Sequence, residues 1–537
     1  MWQARDMGDL SGRSVPTAGR GVRLSGLRLR SLPVWLVPAG VTLVLTLAGL
    51  DAAQPWRDEL ATWSAATRGV PALLRLVGTI DAATGPYYLF MHAWVTVAGD
   101  SVAALRLPSA LAMAAAAGLT ATLGQRLADT RAGALAGLLF AVLPSTSRYG
   151  QEARPYALAT ALAVLSTLLL VDALRRAGWG RWAAYAAATI ALGLTHLVAL
   201  TLLAAHAVAV LATGSSPPTT GPQTDPARTS RDPGHSNADR PGALRFRRGP
   251  GRPSGRLGPL RCWLLTLVPV ALVLTPLFLL ARGQRSRQLA WVDTARLADL
   301  AALPSGLAQS AMVGGMLVAL AALGAGRLGR RGLLPVAAVL LPVLLLFAAG
   351  LAVPLWVPRY LVFVVPFGCL LAGAALAAAR LPAALVVVAL AGLLGLPDQV
   401  ALRRTHEWPR TATVDYQGVA RIVADGQRPG DAVVYSPRDS WLFLDLGLRY
   451  QLGGQVPRDV LAAEDQDRRG DLWAVECGRP AECLAGADRV WLVVAGRRAD
   501  PLAAVPGAKG DALRAGFTVT QVWPRPGLTL ALLSRSP

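Results

Sequence analysis

The chain has 537 residues and a net charge of +21, and 53% of its residues are hydrophobic while only 16% are charged. With a mean hydropathy of +0.43, these figures exclude a soluble globular enzyme, because soluble domains carry about a quarter charged residues. The positive charge does not indicate a nucleic-acid binder. Lys509 is the only lysine among the 53 basic residues, a bias that reflects genome composition rather than a recognition surface.

Apolar stretches of about 15 to 22 residues, bounded by Arg, Pro or Gly, predict membrane crossings. The run at residues 182–212 is about twice the length of one span, so we divide it at Thr195 and His196. The sequence therefore predicts an all-α polytopic membrane protein with about eleven transmembrane helices. The predicted spans start near residues 33, 102, 131, 155, 182, 198, 262, 309, 333, 361 and 383.

Two basic segments predict the orientation of the spans. The arm 1–32 has six Arg against two Asp, and the segment 214–261 has nine Arg against three Asp and is rich in Ser, Pro, Thr and Gly. The positive-inside rule places both in the cytoplasm, and the six predicted spans between them agree with this. The second segment has no apolar period and is predicted to be a disordered loop. With eleven spans, the C-terminus lies outside the cell. The sequence thus predicts a multi-pass plasma-membrane protein with a cytoplasmic N-terminus.

The composition changes from about residue 399 onward. Residues 399–537 carry 18 basic and 16 acidic side chains and contain short β-like runs at 432–435, 490–494, 517–522 and 528–532. These runs predict a small extracytoplasmic α/β domain. Cys477 and Cys483 lie in this domain, where an oxidising compartment permits a disulfide, although two free thiols are an equal alternative. Cys262 and Cys369 fall within predicted spans.

Acidic side chains collect on the predicted outer face. Of eleven acidic residues in the membrane part, nine fall outside and none needs to lie at the bilayer midplane. Ion-coupled transporters keep ionisable residues or broken helices there, often in repeated halves, so a site on the outer face fits better. The long outer loop 51–101 contains Trp-Arg-Asp-Glu at 56–59. Its apolar stretch at 86–99 is short enough to favour an interfacial helix.

Seven sequence blocks follow one another in order along the chain. They are Trp-Arg-Asp-Glu at 56–59, Asp81 followed by Gly-Pro-Tyr-Tyr-Leu at 85–89, Met-His-Ala-Trp at 91–94, Gly-Asp-Ser at 99–101, Leu-Arg-Leu-Pro-Ser at 105–109, Arg-Tyr-Gly-Gln-Glu-Ala-Arg-Pro-Tyr-Ala at 148–157 and Pro-Arg-Tyr-Leu at 358–361. Together these blocks resemble the GT-C glycosyltransferases, in particular the bacterial mannosyltransferase-like group related to protein O-mannosyltransferases and to the lipid A aminoarabinose transferase. The resemblance is strong over residues 33–213.

This resemblance implies a domain plan and an activity. An N-terminal GT-C-like module (33–213) carries the catalytic outer loop 51–101, and after the cytoplasmic loop a second membrane module (262–398) leads to the soluble domain (399–537). The implied reaction is an inverting transfer of a sugar from a polyprenyl-phosphate carrier to an extracytoplasmic glycan, lipid or protein. We find no Gly-rich phosphate loop in the sequence, so a nucleotide-sugar donor has no evident binding fold.

The resemblance also implies residue roles. Asp58 would be the general base that takes the acceptor's proton, and Glu59 would position Asp58 or the acceptor. Asp81 would bind sugar hydroxyls or assist a metal. The remaining candidates for contact with the sugar, the prenyl chain or the carrier phosphate are Arg106, Arg154, Arg359, Tyr88, Glu152 and Tyr360.

Each of these residues has a purely structural alternative. Asp58 and Glu59 could cap the helix that follows them. The arginines could extend towards the interface at span ends, and the tyrosines could form an aromatic belt. Glu152 could pair with a neighbouring Arg. No metal-ligand spacing accompanies the histidines, so no metal site is assigned, and a divalent metal stays an option rather than a requirement.

Mannose is the expected donor sugar, by resemblance. A pentose or aminopentose transferase would use the same carrier and the same face of the membrane. From a different class, the chain could be a polyprenyl-lipid transporter or a non-catalytic scaffold. Replacing Asp58 with Asn separates these hypotheses, because only a transferase needs that carboxylate for turnover.

Overall fold

The computed structural model describes residues 32–176, 178–214, 258–407 and 411–537. The predicted basic arm, apart from its last residue, and nearly all of the predicted cytoplasmic loop lie outside these described residues. The elements below belong to one unit, Val34–Pro537.

The described part of the chain before residue 403 is helical. Short 3₁₀ segments interrupt it at Ala82–Thr84, Leu197–Thr201, Gly329–Gly332 and Pro358–Val364. Its α-helices are α1 (Leu36–Leu47), α2 (Arg57–Ala66), α3 (Val70–Thr79), α4 (Gly85–Ala98), α5 (Val102–Leu127), α6 (Thr130–Val142), α7 (Pro144–Gly150), α8 (Tyr156–Arg175), α9 (Trp179–Thr195), α10 (Leu202–Gly214), α11 (Gly258–Gln288), α12 (Leu297–Ala308), α13 (Ala311–Leu328), α14 (Leu333–Ala352), α15 (Val365–Leu376) and α16 (Leu381–Leu402).

A helix occupies each of the eleven predicted spans. Within the described residues, six helical segments are long and apolar enough to cross a bilayer, and they include seven of the eleven predictions because Ala311–Ala352 contains both α13 and α14. The exact number of crossings stays a prediction. The division at Thr195 and His196 is confirmed, since α9 ends at Thr195 and a 3₁₀ turn follows. The stretch at 86–99 forms the 14-residue helix α4.

Glycines allow the membrane helices to approach closely. A Cβ added to Gly133 of α6 would lie 2.2 Å from the Ala121 oxygen of α5, and one added to Gly324 of α13 would lie 1.8 Å from the Leu371 oxygen of α15. Small residues at such contacts are how helices pack in lipid, where no hydrophobic effect draws them together. These contacts fix the helix scaffold that supports the outer loop.

The C-terminal residues form a small α/β domain, as predicted, and all four β-like runs are strands. Its elements are α17 (Tyr416–Gly426), β1 (Ala432–Ser436), α18 (Leu444–Leu452), β2 (Arg458–Asp459), β3 (Ala462–Glu464), α19 (Gln466–Arg469), β4 (Val475–Glu476), α20 (Pro480–Leu484), β5 (Arg489–Ala495), α21 (Gly507–Gly516), β6 (Phe517–Arg525) and β7 (Leu528–Arg535). Cys477 and Cys483 form a disulfide in it.

The main sheet has the strand order β2-β1-β5-β7-β6. β1 runs parallel to β2 and β5, with Ala432 opposite Val490, whereas β7 pairs antiparallel with both β5 and β6. Every residue of β1 is buried, as expected for a strand covered on both faces.

One face of this sheet packs against the outer loop. Leu60 and Leu73 from α2 and α3 share a hydrophobic core with Val433 and Trp491 from the sheet. The buried Arg68 strengthens this contact, because its Nη2 donates to the Asp471 carbonyl at 2.7 Å. The soluble domain and the outer loop therefore form a continuous packed structure.

Candidate active site

The first turn of α2 presents two adjacent carboxylates. The backbone of Trp56 is extended (φ −94°, ψ 169°), and the chain turns into the helix at Arg57. Glu59 Oε2 accepts a hydrogen bond from the Trp56 backbone N–H at 3.3 Å. The capping alternative therefore holds for Glu59, because its side chain satisfies an N–H at the helix start.

Glu59 is enclosed by donors from the protein. Arg106 binds both of its oxygens, with Nε at 2.8 Å from Oε1 and Nη2 at 2.7 Å from Oε2, and the Ala153 N–H donates to Oε1 at 2.9 Å. Burial opposes ionisation, but the Arg106 guanidinium and His406 outweigh it and hold the pKa of Glu59 well below its ordinary value. Glu59 therefore stays ionised as a structural anion at neutral pH.

All five N–H donors of Arg106 are used inside the protein. Besides Glu59, they bind the carbonyl oxygens of Leu50 and Ala53 through Nη1 and that of Gln54 through Nη2. The side chain is 1% exposed. In this structure Arg106 has no donor left for a carrier phosphate.

Asp58 has a different environment from its neighbour. Its side chain is 20% exposed, and its Oδ2 lies 3.5 Å from Arg359 Nη2. Among the described residues, this buried oxygen accepts no hydrogen bond. Asp58 is therefore a carboxylate beside a cation that still has an acceptor position open, which is the arrangement a general base requires.

Two arginines from different parts of the chain meet at Asp58. Arg359 comes from the 3₁₀ segment before α15, and its Nε donates to the Tyr156 hydroxyl at 3.1 Å. Arg154 comes from the turn before α8, and its Nη1 makes long contacts, at 3.4 Å to the Asp58 carbonyl, 3.4 Å to Thr62 Oγ1 and 3.3 Å to the Tyr88 hydroxyl. The weak engagement of Arg154 leaves its guanidinium available to an anion.

Asp81 lies at the other side of Arg154. Its backbone is left-handed (φ 63°), and its Oδ2 accepts a hydrogen bond from Tyr88 at 2.5 Å. Gln288, at the end of α11, donates to its Oδ1. Burial raises the pKa of Asp81, while Arg154 and Tyr88 act in the opposite direction.

Glu152 pairs with its neighbour, as the structural alternative expected. Its Oε2 lies 2.9 Å from Arg148 Nη1, one helical turn earlier. Burial, with the Glu59 and Asp58 carboxylates adding to it, raises the pKa of Glu152 to about 7 against the opposing charge of Arg148. The Arg148 guanidinium also lies 5.0 Å from the centre of the Trp56 ring.

Aromatic rings line the membrane side of the site. Tyr360 packs 6.4 Å from Tyr156 and 5.5 Å from His196, measured between ring centres. These three residues and Arg359 border a gap that is too narrow to hold a water molecule. The Arg359 guanidinium itself lies 5.2 Å from the centre of the Trp291 ring and 5.9 Å from that of the Trp56 ring.

Sequence reasoning missed His406 and Glu407, which follow α16. His406 Nδ1 lies 3.7 Å from Glu59 Oε2, and Glu407 Oε2 lies 3.4 Å from Arg57 Nε. Burial raises the pKa of Glu407 to about 7, with Arg57 opposing and Asp58 adding to the shift. The only signal in the sequence is an acidic residue directly after the last predicted span, on its outer side.

The structure thus brings all nine predicted site residues into one region: Asp58, Glu59, Asp81, Tyr88, Arg106, Glu152, Arg154, Arg359 and Tyr360. Within the described ranges, no group of three or more His, Cys, Asp or Glu side chains could hold a metal ion.

Comparison with known proteins agrees with this architecture. Residues 85–218 match the family model of dolichyl-phosphate-mannose-protein mannosyltransferases. A search of curated proteins finds no significant sequence match.

Two solved structures of ArnT from Cupriavidus metallidurans share the fold. The apo structure aligns with a TM-score of 0.57 and the structure bound to undecaprenyl phosphate with 0.58, each at 14% sequence identity and covering 93% of this chain and 97% of that chain. An Archaeoglobus fulgidus oligosaccharyltransferase in complex with Zn and sulfate aligns with a TM-score of 0.45 at 13% identity, covering 93% of this chain and 72% of that one. Residues 85–218 therefore resemble the dolichyl-phosphate-mannose-protein mannosyltransferases, and the chain shares its overall fold with the two ArnT structures.

Proposed function

We propose that the protein transfers a sugar, with inversion, from a polyprenyl-phosphate carrier to an acceptor outside the cell membrane. The observation that carries this proposal is the Asp58 carboxylate, which faces Arg359 at 3.5 Å and keeps Oδ2 without a hydrogen bond among the described residues. The match of a mannosyltransferase family model and the fold shared with an undecaprenyl-phosphate-bound ArnT support a lipid-linked donor.

Each group then has one task. The acceptor oxygen attacks the anomeric carbon of the sugar, its proton passes to Asp58, and the bond from the sugar to the phosphate oxygen breaks. The negative charge of the leaving polyprenyl phosphate develops beside Arg359 and Arg154, whose guanidinium groups remain charged at any working pH. Glu59 and Arg106 hold the first turn of α2 in place rather than contacting the substrate.

Two features of the chain support an orientation of the protein in the membrane with the soluble domain outside. The disulfide between Cys477 and Cys483 favours an oxidising compartment for the soluble domain. The positive-inside rule favours a cytoplasmic N-terminus. We therefore place the cluster around Asp58 at the outer face, where the acceptor glycan, lipid or protein would meet the carrier.

The proposal is tested by sugar transfer from radiolabelled carriers. The purified protein in nanodiscs is given polyprenyl-phosphate-mannose, and separately the pentose and aminopentose carriers, with an envelope extract as acceptor source. We expect turnover of one carrier by the wild type and a loss of at least about 100-fold in Asp58→Asn.

Asp51→Asn is the matched control, because Asp51 is an exposed acid at the start of the same loop. Its turnover should equal that of the wild type. Mannose transfer would identify the donor as the expected one, and transfer of a pentose or aminopentose would replace it. Movement of a fluorescent polyprenyl phosphate between leaflets without any sugar transfer would favour the transporter hypothesis instead.

A further inference from the structure

Residues 403–407, which follow α16 and are called the connector below, enter the candidate active site. His406 and Glu407 are 2% and 4% exposed, respectively. His406 faces Glu59 at 3.7 Å, and Glu407 faces Arg57 at 3.4 Å. The residues immediately before and after Asp58 therefore both lie against this connector, Arg57 through an ionic contact and Glu59 through proximity to the His406 ring.

Two hydrogen bonds hold the connector in position. Arg148 Nη2 donates to the His406 carbonyl oxygen at 2.8 Å, and the Glu407 N–H donates to Thr405 Oγ1 at 3.1 Å. The Glu407 carboxylate consequently has a defined position beside the start of α2. Glu407 presents a buried carboxyl group to the Arg57 guanidinium, which is 27% exposed.

The position of Arg57 matters because it is adjacent to Asp58 in the chain. Asp58 already faces Arg359 and lies near Arg154. A further guanidinium bound to its carboxylate would occupy the open oxygen and lower its affinity for a proton. Glu407 offers Arg57 another carboxylate.

We propose that Glu407 is a positioning residue for the glycosyl transfer: it holds the Arg57 guanidinium away from Asp58, so that Asp58 keeps an oxygen free for the acceptor's proton. This inference rests on the proposed function. It also gives the soluble domain a role in catalysis, because its entry segment carries the residue that keeps the base free.

The test measures kcat and the KM for the lipid-linked donor separately, in nanodiscs, with whichever carrier the wild type uses. Glu407→Gln should lower kcat by about tenfold or more and leave KM within about twofold. Glu407→Asp retains the acidic group, so its kcat should lie between those of the wild type and Glu407→Gln. The double variant Arg57→Gln with Glu407→Gln should recover most of the rate, because it removes the guanidinium that Glu407 restrains.

A purely structural role for Glu407 gives a different result. In that case the double variant would be as slow as Glu407→Gln, and both would unfold at a lower temperature than the wild type. The double variant leaves no charge of this pair unpartnered, so it also decides the matter if Glu407→Gln alone does not fold. In that case, the inference requires that the double variant turn over within about threefold of the wild-type rate.

Glu482→Gln is the control for loss of an acidic side chain in the soluble domain, since Glu482 is 62% exposed there. It should leave both constants unchanged. If the wild type transfers sugar and Glu407→Gln matches it, or the double variant fails to recover, this inference is wrong and the proposed function stands. If the wild type transfers no sugar from any carrier, the proposed function falls and this inference falls with it.

Discussion

The two adjacent carboxylates of α2 differ because of what surrounds each one. Glu59 is bound by Arg106 at 2.7 and 2.8 Å, with both side chains at most 2% exposed. Asp58 is 20% exposed and has one longer ionic contact. The same chemical group is therefore structural at one position and available for proton transfer at the next.

Replacement of Glu59 tests its structural role. Glu59→Gln would leave the Arg106 charge buried without its anion, and breaking such a pair costs about 3–5 kcal/mol. We expect a clear fall in the thermal unfolding temperature, measured by intrinsic fluorescence in nanodiscs. Asp58→Asn should unfold close to the wild-type temperature. Equal unfolding temperatures for Glu59→Gln and the wild type would contradict this assignment.

Glu152 predicts a pH dependence of stability. Because burial raises its pKa to about 7, the unfolded chain ionises at lower pH than the folded one, and stability is lost as pH rises from about 4.5 to 7. The cost is at most about 3 kcal/mol. Glu152→Gln removes this cost, so its unfolding temperature relative to wild type should be higher at pH 8 than at pH 5.5.

The control for this pH effect is Glu464→Gln, because Glu464 is exposed in β3. Its unfolding temperature should differ from the wild type by the same amount at both pH values. A difference for Glu152→Gln that does not change with pH would show that the carboxyl does not titrate in this range.

At the scale of elements, helix contacts decide which glycines can be replaced. In α13, a Cβ on Gly324 would lie 1.8 Å from a backbone oxygen of α15, whereas a Cβ on Gly326 of the same helix meets nothing within 4 Å. Gly324→Ala should therefore force α13 and α15 apart, with a loss of about 1–3 kcal/mol or more.

Gly326→Ala is the matched control for this change. Alanine relieves part of the entropy cost of glycine in a helix, about 0.5–1 kcal/mol, so this variant should unfold at the wild-type temperature or slightly above it. The measurement is thermal unfolding together with the yield of monodisperse protein. Equal stability of the two variants would mean that α13 and α15 are not in close contact.

At the scale of the whole molecule, the soluble domain is joined to the membrane part by more than its connector. Arg287, in the last turn of α11, binds the Asp471 carboxylate at 2.7 Å, and Arg68 binds the Asp471 carbonyl. The last two residues of α11 therefore make contacts in different directions. Arg287 binds the soluble domain through Asp471, and Gln288 donates a hydrogen bond to Asp81. The outer loop is held between these contacts.

The disulfide predicts the compartment of this domain. In a variant with Cys262→Ser and Cys369→Ser, only Cys477 and Cys483 remain. A maleimide-polyethylene glycol reagent should shift the band of the denatured protein from cells only after reduction, because an extracytoplasmic pair is oxidised. Labelling without a reductant would place the domain in a reducing compartment and contradict the proposed orientation.

The sequence by itself determined eleven of the helical segments, the break at His196 and four of the seven strands of the soluble domain. These are set by local features: the length of an apolar run, a charge at its end and the residue types of a strand. The same local information selected Asp58, Arg154 and Arg359 through their resemblance to a known family. Residues 81 and 88 were selected in the same way, and the structure brings them together.

Only the tertiary structure decided how these residues divide the work. Arg106 and Arg359 look alike in the sequence, but packing surrounds the first with five acceptors and leaves the second at Asp58. Glu407 is more than 340 residues from Arg57 in the chain, and no local pattern links them. Their contact exists because the sheet packs on α2 and α3 and carries the connector against the outer loop, and such a long-range contact depends on the burial of a shared core.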